Sequence, residues 1–161
     1  MENIIEIYTD GSSRGNPGPG GYGTILRFNG KEKELSEGFR LTTNNRMELL
    51  AVIKGLEELK TSKFPVKVYS DSKYIVDAIN NGWVFGWIKT QFKKKKNPDL
   101  WMRWFQIQKQ FKVQYIWVKG HNGHPPNERC DQLAVKAALS ADLKIDRYFE
   151  EHKNEESGLS L

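Results

Sequence analysis

The sequence predicts a mixed α/β domain, in which an antiparallel meander is followed by strands that return through helices. Three strand-like runs come first, before any helical periodicity. From Asn44 onwards, helical and strand patterns alternate, which is typical of strands joined by helical crossovers. The chain has 161 residues, of which 38% are hydrophobic and 28% charged. That length and composition predict one domain with a substantial buried core.

The first half of the chain contains three predicted strands and one helix. The run IIEIYTD alternates around Ile5 and Ile7 and ends at Asp10. A Gly/Pro-rich loop follows, and then GYGTILRF and KEKELSEGFRL read as two strands joined by a turn at Asn29-Gly30. Thr43 or Asn44 is a suitable N-cap for the helix that comes next. Its apolar residues recur at helical spacing: Leu49, Val52, Ile53, Leu56 and Leu59.

The second half contributes two more strands and three helices. Pro65 opens the strand PVKVYSD, and a short helix then runs from Ser72 to the stop signal Asn81-Gly82. A helix over about 99–110, the strand VQYIWVK, the loop GHNGHPP and the helix NERCDQLAVKAAL follow. We therefore predict a five-stranded mixed sheet flanked by helices, with the first and fourth strands parallel. Residues 1–143 form this domain, and residues 144–161 are predicted to be a polar C-terminal tail.

The Gly-rich stretch contains GPGGYG, Gly18 to Gly23, which matches the G-x-G-x-x-G pattern of dinucleotide-binding loops. In those loops the glycines follow a strand and open a helix, whose N-terminus faces the pyrophosphate. Here they open onto the strand-like run GTILRF, and Pro17 and Pro19 interrupt the turn. A dinucleotide site is therefore excluded. The glycines instead shape a tight loop, where bare backbone lets a polymer approach Asp10.

Composition excludes several other classes of protein. The single cysteine, Cys130, cannot form an internal disulfide or a cysteine-based metal site. No apolar run approaches the roughly 18 residues of a membrane span, and no secretory signal precedes the first strand. We expect a cytoplasmic protein that binds no membrane.

Basic and aromatic residues concentrate in one segment. Between Trp83 and Lys119 there are nine Lys or Arg residues against one acid, and all five tryptophans lie there. Lysines attract phosphates and aromatic rings stack on bases or sugars, so the pattern is typical of nucleic-acid binding. A solvated charged surface above core tryptophans explains the same pattern, and composition alone leaves both interpretations open.

Four acids stand out by position. Asp10 and Asp71 end the first and fourth strands, whose parallel pairing would place both carboxylates at one edge of the sheet. Glu48 shares a helical stripe with apolar residues, and Asp131 does the same on the last helix. Acids on apolar stripes are costly unless they are paired or bind metal. Oxygen ligands favour a hard cation such as Mg²⁺ or Mn²⁺, and two such ions support phosphodiester hydrolysis.

The motifs TDGS…GNPGPGGYG, TTNNRMEL, SDSKY and WVKGHNGHPPNERCDQLA occur in order from about Ile4 to Leu139. Together they resemble type I ribonuclease H of the bacterial kind. The resemblance implies the ribonuclease H-like fold and endonucleolytic cleavage of RNA in RNA–DNA hybrids, leaving 3′-hydroxyl and 5′-phosphate ends. It implies that Asp10, Glu48, Asp71 and Asp131 bind two Mg²⁺, for which Mn²⁺ can substitute. It also implies that His121 assists proton transfer and product release.

The resemblance further implies a set of substrate contacts. Asn16, Asn44 and Asn45 match positions that touch the hybrid near the cut, whereas Thr43 and Asn97 match a pocket for a DNA-strand phosphate. Residues 83–104 match a basic aromatic protrusion, in which an aromatic channel and a lysine run bind the hybrid: Trp83, Trp87, Lys93, Lys94, Lys95 and Lys96. We expect the hybrid as the partner, a monomer, and no obligate protein partner.

The chain departs from the family pattern at two places. The stretch from Phe92 to Trp101 is several residues shorter, which predicts an abbreviated protrusion. Leu41 stands where relatives often carry a basic residue, and Arg40 is one place off, which in a strand turns its side chain to the other face. We expect the phosphate pocket to be weaker or built differently.

Two alternatives belong to other classes of protein. One is a basic nucleic-acid-binding module whose acids are structural, and the four acids together with the histidine loop argue against it. The other is a DNA nuclease or integrase-like enzyme of the same fold, against which the TTNNRMEL and GHNGHPPNERCD motifs argue.

Overall fold

The computed structural model describes residues 3–120 and 123–156. Within these residues a six-stranded sheet has the order β5-β4-β1-β2-β3-β6. The strands are β1 Ile5–Ser13, β2 Gly18–Phe28, β3 Lys31–Thr42, β4 Val66–Ser70, β5 Val113–Trp117 and β6 Leu143–Lys144. β1, β2 and β3 form the predicted antiparallel meander, and the other pairings are parallel.

Six helices accompany the sheet in the described part of the chain. They are α1 Asn44–Glu57, α2 Lys73–Asn80, α3 Trp83–Lys89, α4 Pro98–Gln108, α5 Pro125–Ala138 and α6 Arg147–Glu156. Thr43 caps α1 by accepting a hydrogen bond from the Arg46 amide, and Ser72 caps α2 in the same way through Ile75. The mixed α/β architecture is as predicted, whereas helix α3 was not predicted separately.

The strand count and the C-terminal tail differ from the predictions. β6 is a sixth strand of two residues, which pairs with β3 at Gly38 and Phe39 and is too short to show a periodic pattern. The segment predicted as a polar tail from residue 144 instead continues into α6. Phe149 is buried there, and Asp146 accepts hydrogen bonds from Arg46 and Thr42. These partners lie about a hundred residues earlier, so local composition could not reveal them.

The two faces of the sheet bury different helices, because side chains alternate along a strand. Ile7 of β1 belongs to the main core with α1, whereas its neighbour Tyr8 packs in the cluster that contains Cys130 and Leu133 of α5. Trp101 and Trp104 of α4 are fully buried in the main core. None of the described helices combines the length and apolar character needed to cross a membrane. The sheet is thus covered on both faces, which leaves its edges and strand ends for a site.

Candidate active site

Three carboxylates meet at the carboxyl ends of β1 and β4. These strands pair in parallel as far as Tyr8 opposite Tyr69, so Asp10 and Asp71 follow at equivalent positions. Oxygen atoms of Asp10, Glu48 and Asp71 all lie within 4.8 Å of one another. The sequence predicted that the acids at two strand ends and on one helix stripe would lie together, and these three side chains do.

Gly11 makes the close approach between β1 and α1 possible. Its backbone N–H donates to Glu48 Oε1 at 2.7 Å and to Asp10 Oδ1 at 2.9 Å. A Cβ atom at this position would lie 2.3 Å from the backbone nitrogen of Glu48. Only glycine therefore lets the helix bring Glu48 against the strand that carries Asp10.

Burial shapes the electrostatics of the cluster. Asp10 and Glu48 are buried, and no described Lys or Arg forms an ion pair with them or with Asp71. Burial, reinforced by the charges of Asp71 and Asp131, raises the pKa of Asp10 to about 7. Burial and the neighbouring Asp10 raise the pKa of Glu48 well above its usual range. The folded chain therefore holds the negative charge of this cluster at an electrostatic cost.

A divalent cation fits this donor set. Glu48 Oε2 is a buried oxygen without a hydrogen-bond partner among the described residues. Buried polar atoms are nearly always satisfied, so a carboxylate oxygen without a partner beside two further carboxylates fits a ligand of a cation. The donors are oxygens only, which selects hard ions of the magnesium or manganese kind.

Asp131 lies near the cluster without joining it. It is half-buried in the middle of α5, and its charge contributes to the raised pKa of Asp10, but it is not among the three acids whose oxygens converge. His121 lies outside the described residues. Its predecessor Gly120 lies against the Asp71 carboxylate, because a Cβ there would be 2.9 Å from Asp71 Oδ2.

The predicted phosphate-pocket residues line a cavity of about 390 Å³. Thr43 and Asn97 lie in its wall with Asn16, Asn45 and Lys96. Asn44 is exposed beside it, where its backbone N–H donates to Asn16 Oδ1 at 3.1 Å. The structure thus brings together the residues that the resemblance assigned to the DNA phosphate and to the region near the cut.

A second cavity of about 380 Å³ contains the predicted aromatic channel. It is lined by both channel tryptophans, by part of the lysine run and by its polar neighbours: Trp83, Trp87, Lys94, Lys95, Lys96, Asn97, Asn45 and Tyr74. Trp83 is 51% exposed, and the Lys95 ammonium lies 5.3 Å from the centre of the Trp87 ring. Lys93 is exposed on the same loop. Trp101 and Trp104 are core residues, so the interpretation as core tryptophans is confirmed for these two.

Sequence reasoning missed the buried ion network that shapes the phosphate-pocket cavity. Arg46 is fully buried and forms ion pairs with Asp99 at 2.6 Å and Asp146 at 2.7 Å. It also donates to Asn97 Oδ1 at 3.3 Å, while Asn97 Nδ2 donates to the Tyr74 hydroxyl at 3.2 Å. These bonds fix the Asn97 amide in the cavity wall. The only sequence signal was an arginine inside the TTNNRMEL segment, next to the apolar stripe of the predicted helix.

Comparisons with known proteins agree with this geometry. The sequence model of the RNase H family matches residues 2–139. The chain therefore belongs to the ribonuclease H family. It is 54% identical over 147 residues to the Ribonuclease H of Desulforamulus reducens, covering 88% of this chain and 92% of the relative. It is 52% identical over 157 residues to the Ribonuclease H of Lachnoclostridium phytofermentans, covering 91% and 99%.

Solved structures of ribonucleases H share the fold. LC9-RNase H1, described as a type 1 RNase H with the type 2 active-site motif, has a TM-score of 0.76 at 31% identity. The match covers 99% of this chain and 85% of that one. LC11-RNase H1 in complex with an RNA/DNA hybrid has a TM-score of 0.64 at 30% identity, covering 84% and 99%. The family resemblance that the motifs indicated is confirmed, and with it the ribonuclease H-like fold.

Proposed function

We propose that this chain is a metal-dependent endoribonuclease that hydrolyses the RNA strand of RNA–DNA hybrids. One observation carries the proposal: oxygens of three carboxylates, two of them buried, converge within 4.8 Å in a chain of the ribonuclease H family, and one buried Glu48 oxygen has no hydrogen-bond partner among the described residues. The hybrid complex of LC11-RNase H1 supports the choice of substrate. The products would be 3′-hydroxyl and 5′-phosphate ends.

The four acids would have different positions in the proposed metal site. Asp10, Glu48 and Asp71 would hold the cations, and Asp131 at the rim would complete the set. Two bound Mg²⁺ ions would activate a water and stabilise the leaving oxygen, and Mn²⁺ would substitute for them. The Gly11 N–H holds Glu48 Oε1 in place, so that Oε2 remains directed into the cluster. His121 would accept a proton and assist product release.

The two cavities would bind the strands of the hybrid. Thr43 and Asn97 would grip a DNA phosphate, while Asn16, Asn44 and Asn45 contact the hybrid near the cut. Trp83 and Trp87 would pack against DNA sugars in the aromatic channel. The lysine run would neutralise phosphates without reading bases: Lys93, Lys94, Lys95 and Lys96. Selection for RNA would come from groups that read 2′-hydroxyls.

The chain would act as a monomer without an obligate protein partner. A cytoplasmic location without membrane binding fits the single cysteine, which is buried and unpaired.

A three-substrate assay tests the proposal. Labelled RNA–DNA hybrid, double-stranded RNA and double-stranded DNA are incubated with the protein, with Mg²⁺ and with EDTA. We expect Mg²⁺-dependent internal cleavage of the RNA in the hybrid alone, and its loss in Asp71→Asn. Cleavage of double-stranded DNA would support a DNA nuclease instead. Hybrid binding without cleavage in Mg²⁺ or Mn²⁺ would support a binding module.

A further inference from the structure

The C-terminal helix α6 forms one wall of the phosphate-pocket cavity. The wall opposite consists of Thr43 at the start of α1 and of Lys96 and Asn97 before α4. α6 contributes three residues to it: Phe149, Lys153 and Asn154. The sequence predicted a polar tail here, so α6 had no functional assignment. Its position makes it part of the surface that faces the substrate.

The lining of this cavity has the chemistry of an anion site. It contains two lysines, one threonine hydroxyl and several side-chain amides, and no carboxylate. Lys96 and Lys153 approach it from different parts of the chain. Ammonium and amide groups around an open cleft suit a phosphodiester, which offers several acceptor oxygens and one negative charge.

Among the side chains that the structure describes, Lys153 forms no ion pair. Glu150 lies one turn earlier on α6, where the hydrogen bonds from Arg40 and, to a smaller extent, the charge of Lys153 lower the pKa of that carboxyl. Arg40 holds Glu150 through two hydrogen bonds of 2.8 and 2.9 Å. Arg40 is thus committed to α6 and does not line the cavity, and Leu41 brings no charge. The cationic groups in the cavity lining are therefore Lys96 and Lys153.

α6 is anchored firmly enough to present Lys153. Phe149 is 4% exposed, and its backbone N–H donates to Asp146 Oδ1 at 3.3 Å. Asp146 in turn accepts from Arg46 and from the Thr42 hydroxyl, both at 2.7 Å. A lysine on a fixed helix loses less conformational entropy on binding than one on an unanchored tail.

We propose that Lys153 is a substrate-binding residue, whose ammonium contacts a backbone phosphate of the hybrid's DNA strand held between Thr43, Asn97 and α6. This rests on the proposed function, because it assumes the hybrid as substrate. It extends the DNA-strand site to a helix beyond residues 2–139, the span that the family model matches.

Binding and kinetics of matched lysine variants test the proposal. Lys153→Ala is compared with Lys153→Arg and with the control Lys31→Ala, an exposed lysine at the β2–β3 hairpin, at the opposite end of the sheet. Hybrid affinity is measured in Ca²⁺ over a range of salt, and steady-state kinetics in Mg²⁺. We expect Lys153→Ala to raise Kd and KM roughly three- to tenfold and to change kcat little. The slope of log affinity against log salt concentration should become shallower by up to about one unit in this variant. Arginine should restore most of the affinity.

Neutral linkages then locate the contact. A methylphosphonate is placed at each DNA-strand position of the hybrid in turn, and binding to the wild type identifies the phosphate whose charge matters most. Neutralising that phosphate should weaken the wild type more than it weakens Lys153→Ala, because the variant has already lost the contribution of the Lys153 ammonium while the other residues around the phosphate keep theirs. Additive losses at every DNA position would overturn the proposal.

Different results would overturn the proposed function and the role of Lys153. A wild-type protein that neither binds nor cleaves the hybrid would overturn the proposed function, and this inference with it. A wild type that cleaves the hybrid, with Lys153→Ala indistinguishable from Lys31→Ala in affinity and salt slope, would overturn this inference alone.

Discussion

Replacing Asp10 by Asn should stabilise the metal-free protein while removing its activity. Burial and the charges of Asp71 and Asp131 raise the pKa of Asp10 from an ordinary 3.8 to about 7. Each pKa unit is worth about 1.4 kcal/mol, so ionising Asp10 costs the folded chain about 4 kcal/mol more than the unfolded chain. Asparagine carries no charge and can still accept the Gly11 hydrogen bond. We expect a gain of about 2–4 kcal/mol in the free energy of unfolding above pH 7, since part of the desolvation cost remains.

The sign of the pH dependence follows from the raised pKa. A carboxyl whose pKa is higher in the folded state binds its proton more tightly there, so its stabilising effect is complete below the unfolded pKa, near 4. That effect is lost as the pH rises through about 7. Glu48, whose pKa is also raised, acts in the same direction. The gain from Asp10→Asn should therefore be small at pH 4 and large at pH 8.

Urea unfolding in EDTA at pH 4 and pH 8 measures both effects. Asp142→Asn, at an exposed aspartate outside the cluster, is the matched control and should change stability by less than about 0.5 kcal/mol. Mg²⁺ should raise the stability of the wild type, as expected for a ligand of the folded state, and raise that of Asp10→Asn less. An Asp10→Asn protein no more stable than wild type at pH 8 without metal would refute the argument from burial and repulsion.

Three further changes probe other parts of the molecule. Neutralising the lysine run, Lys93, Lys94, Lys95 and Lys96, should weaken hybrid binding for all sequences and reduce the salt slope by up to about one unit per phosphate contact; an unchanged slope in a Ca²⁺ titration would make the run a solvated surface only. His121→Ala should lower kcat roughly 10²–10⁴-fold without abolishing turnover, as measured in single-turnover and steady-state assays; unchanged turnover would remove it from the mechanism. Arg46→Met should cost about 3–5 kcal/mol in urea unfolding, because it leaves Asp99 and Asp146 unpaired; a loss below about 1 kcal/mol would contradict this.

The converging acids could be predicted because local patterns placed them. Asp10 and Asp71 each follow a strand whose apolar alternation is plain in the sequence, and parallel pairing brings such ends together. Glu48 could be oriented because the helix around it has a regular apolar stripe. What the sequence could not supply was the distance of Asp131 from the other acids, which depends on how α5 packs across the sheet.

The C-terminal part of the fold was not predicted, because long-range polar contacts position it. Helix α6 is rich in charged residues, and only Phe149 is buried in it among the side chains described. Its position depends on Asp146, whose partners Arg46 and Thr42 lie a hundred or more positions earlier in the chain. Such long-range polar pairs leave no periodic signal. The tryptophans posed a similar difficulty, since no local pattern separates core Trp104 from exposed Trp83.

The buried ion network and the acid cluster handle charge in opposite ways. The acids gather charge of one sign at the strand ends, which costs stability until a cation binds. The network around Arg46 pairs each of its two carboxylates with the same guanidinium and joins α1, the start of α4 and the segment leading into α6. Those are the elements that wall the phosphate-pocket cavity. Because the network holds the walls rigid, substrate binding need not order them, and more of the contact energy remains for holding the phosphate.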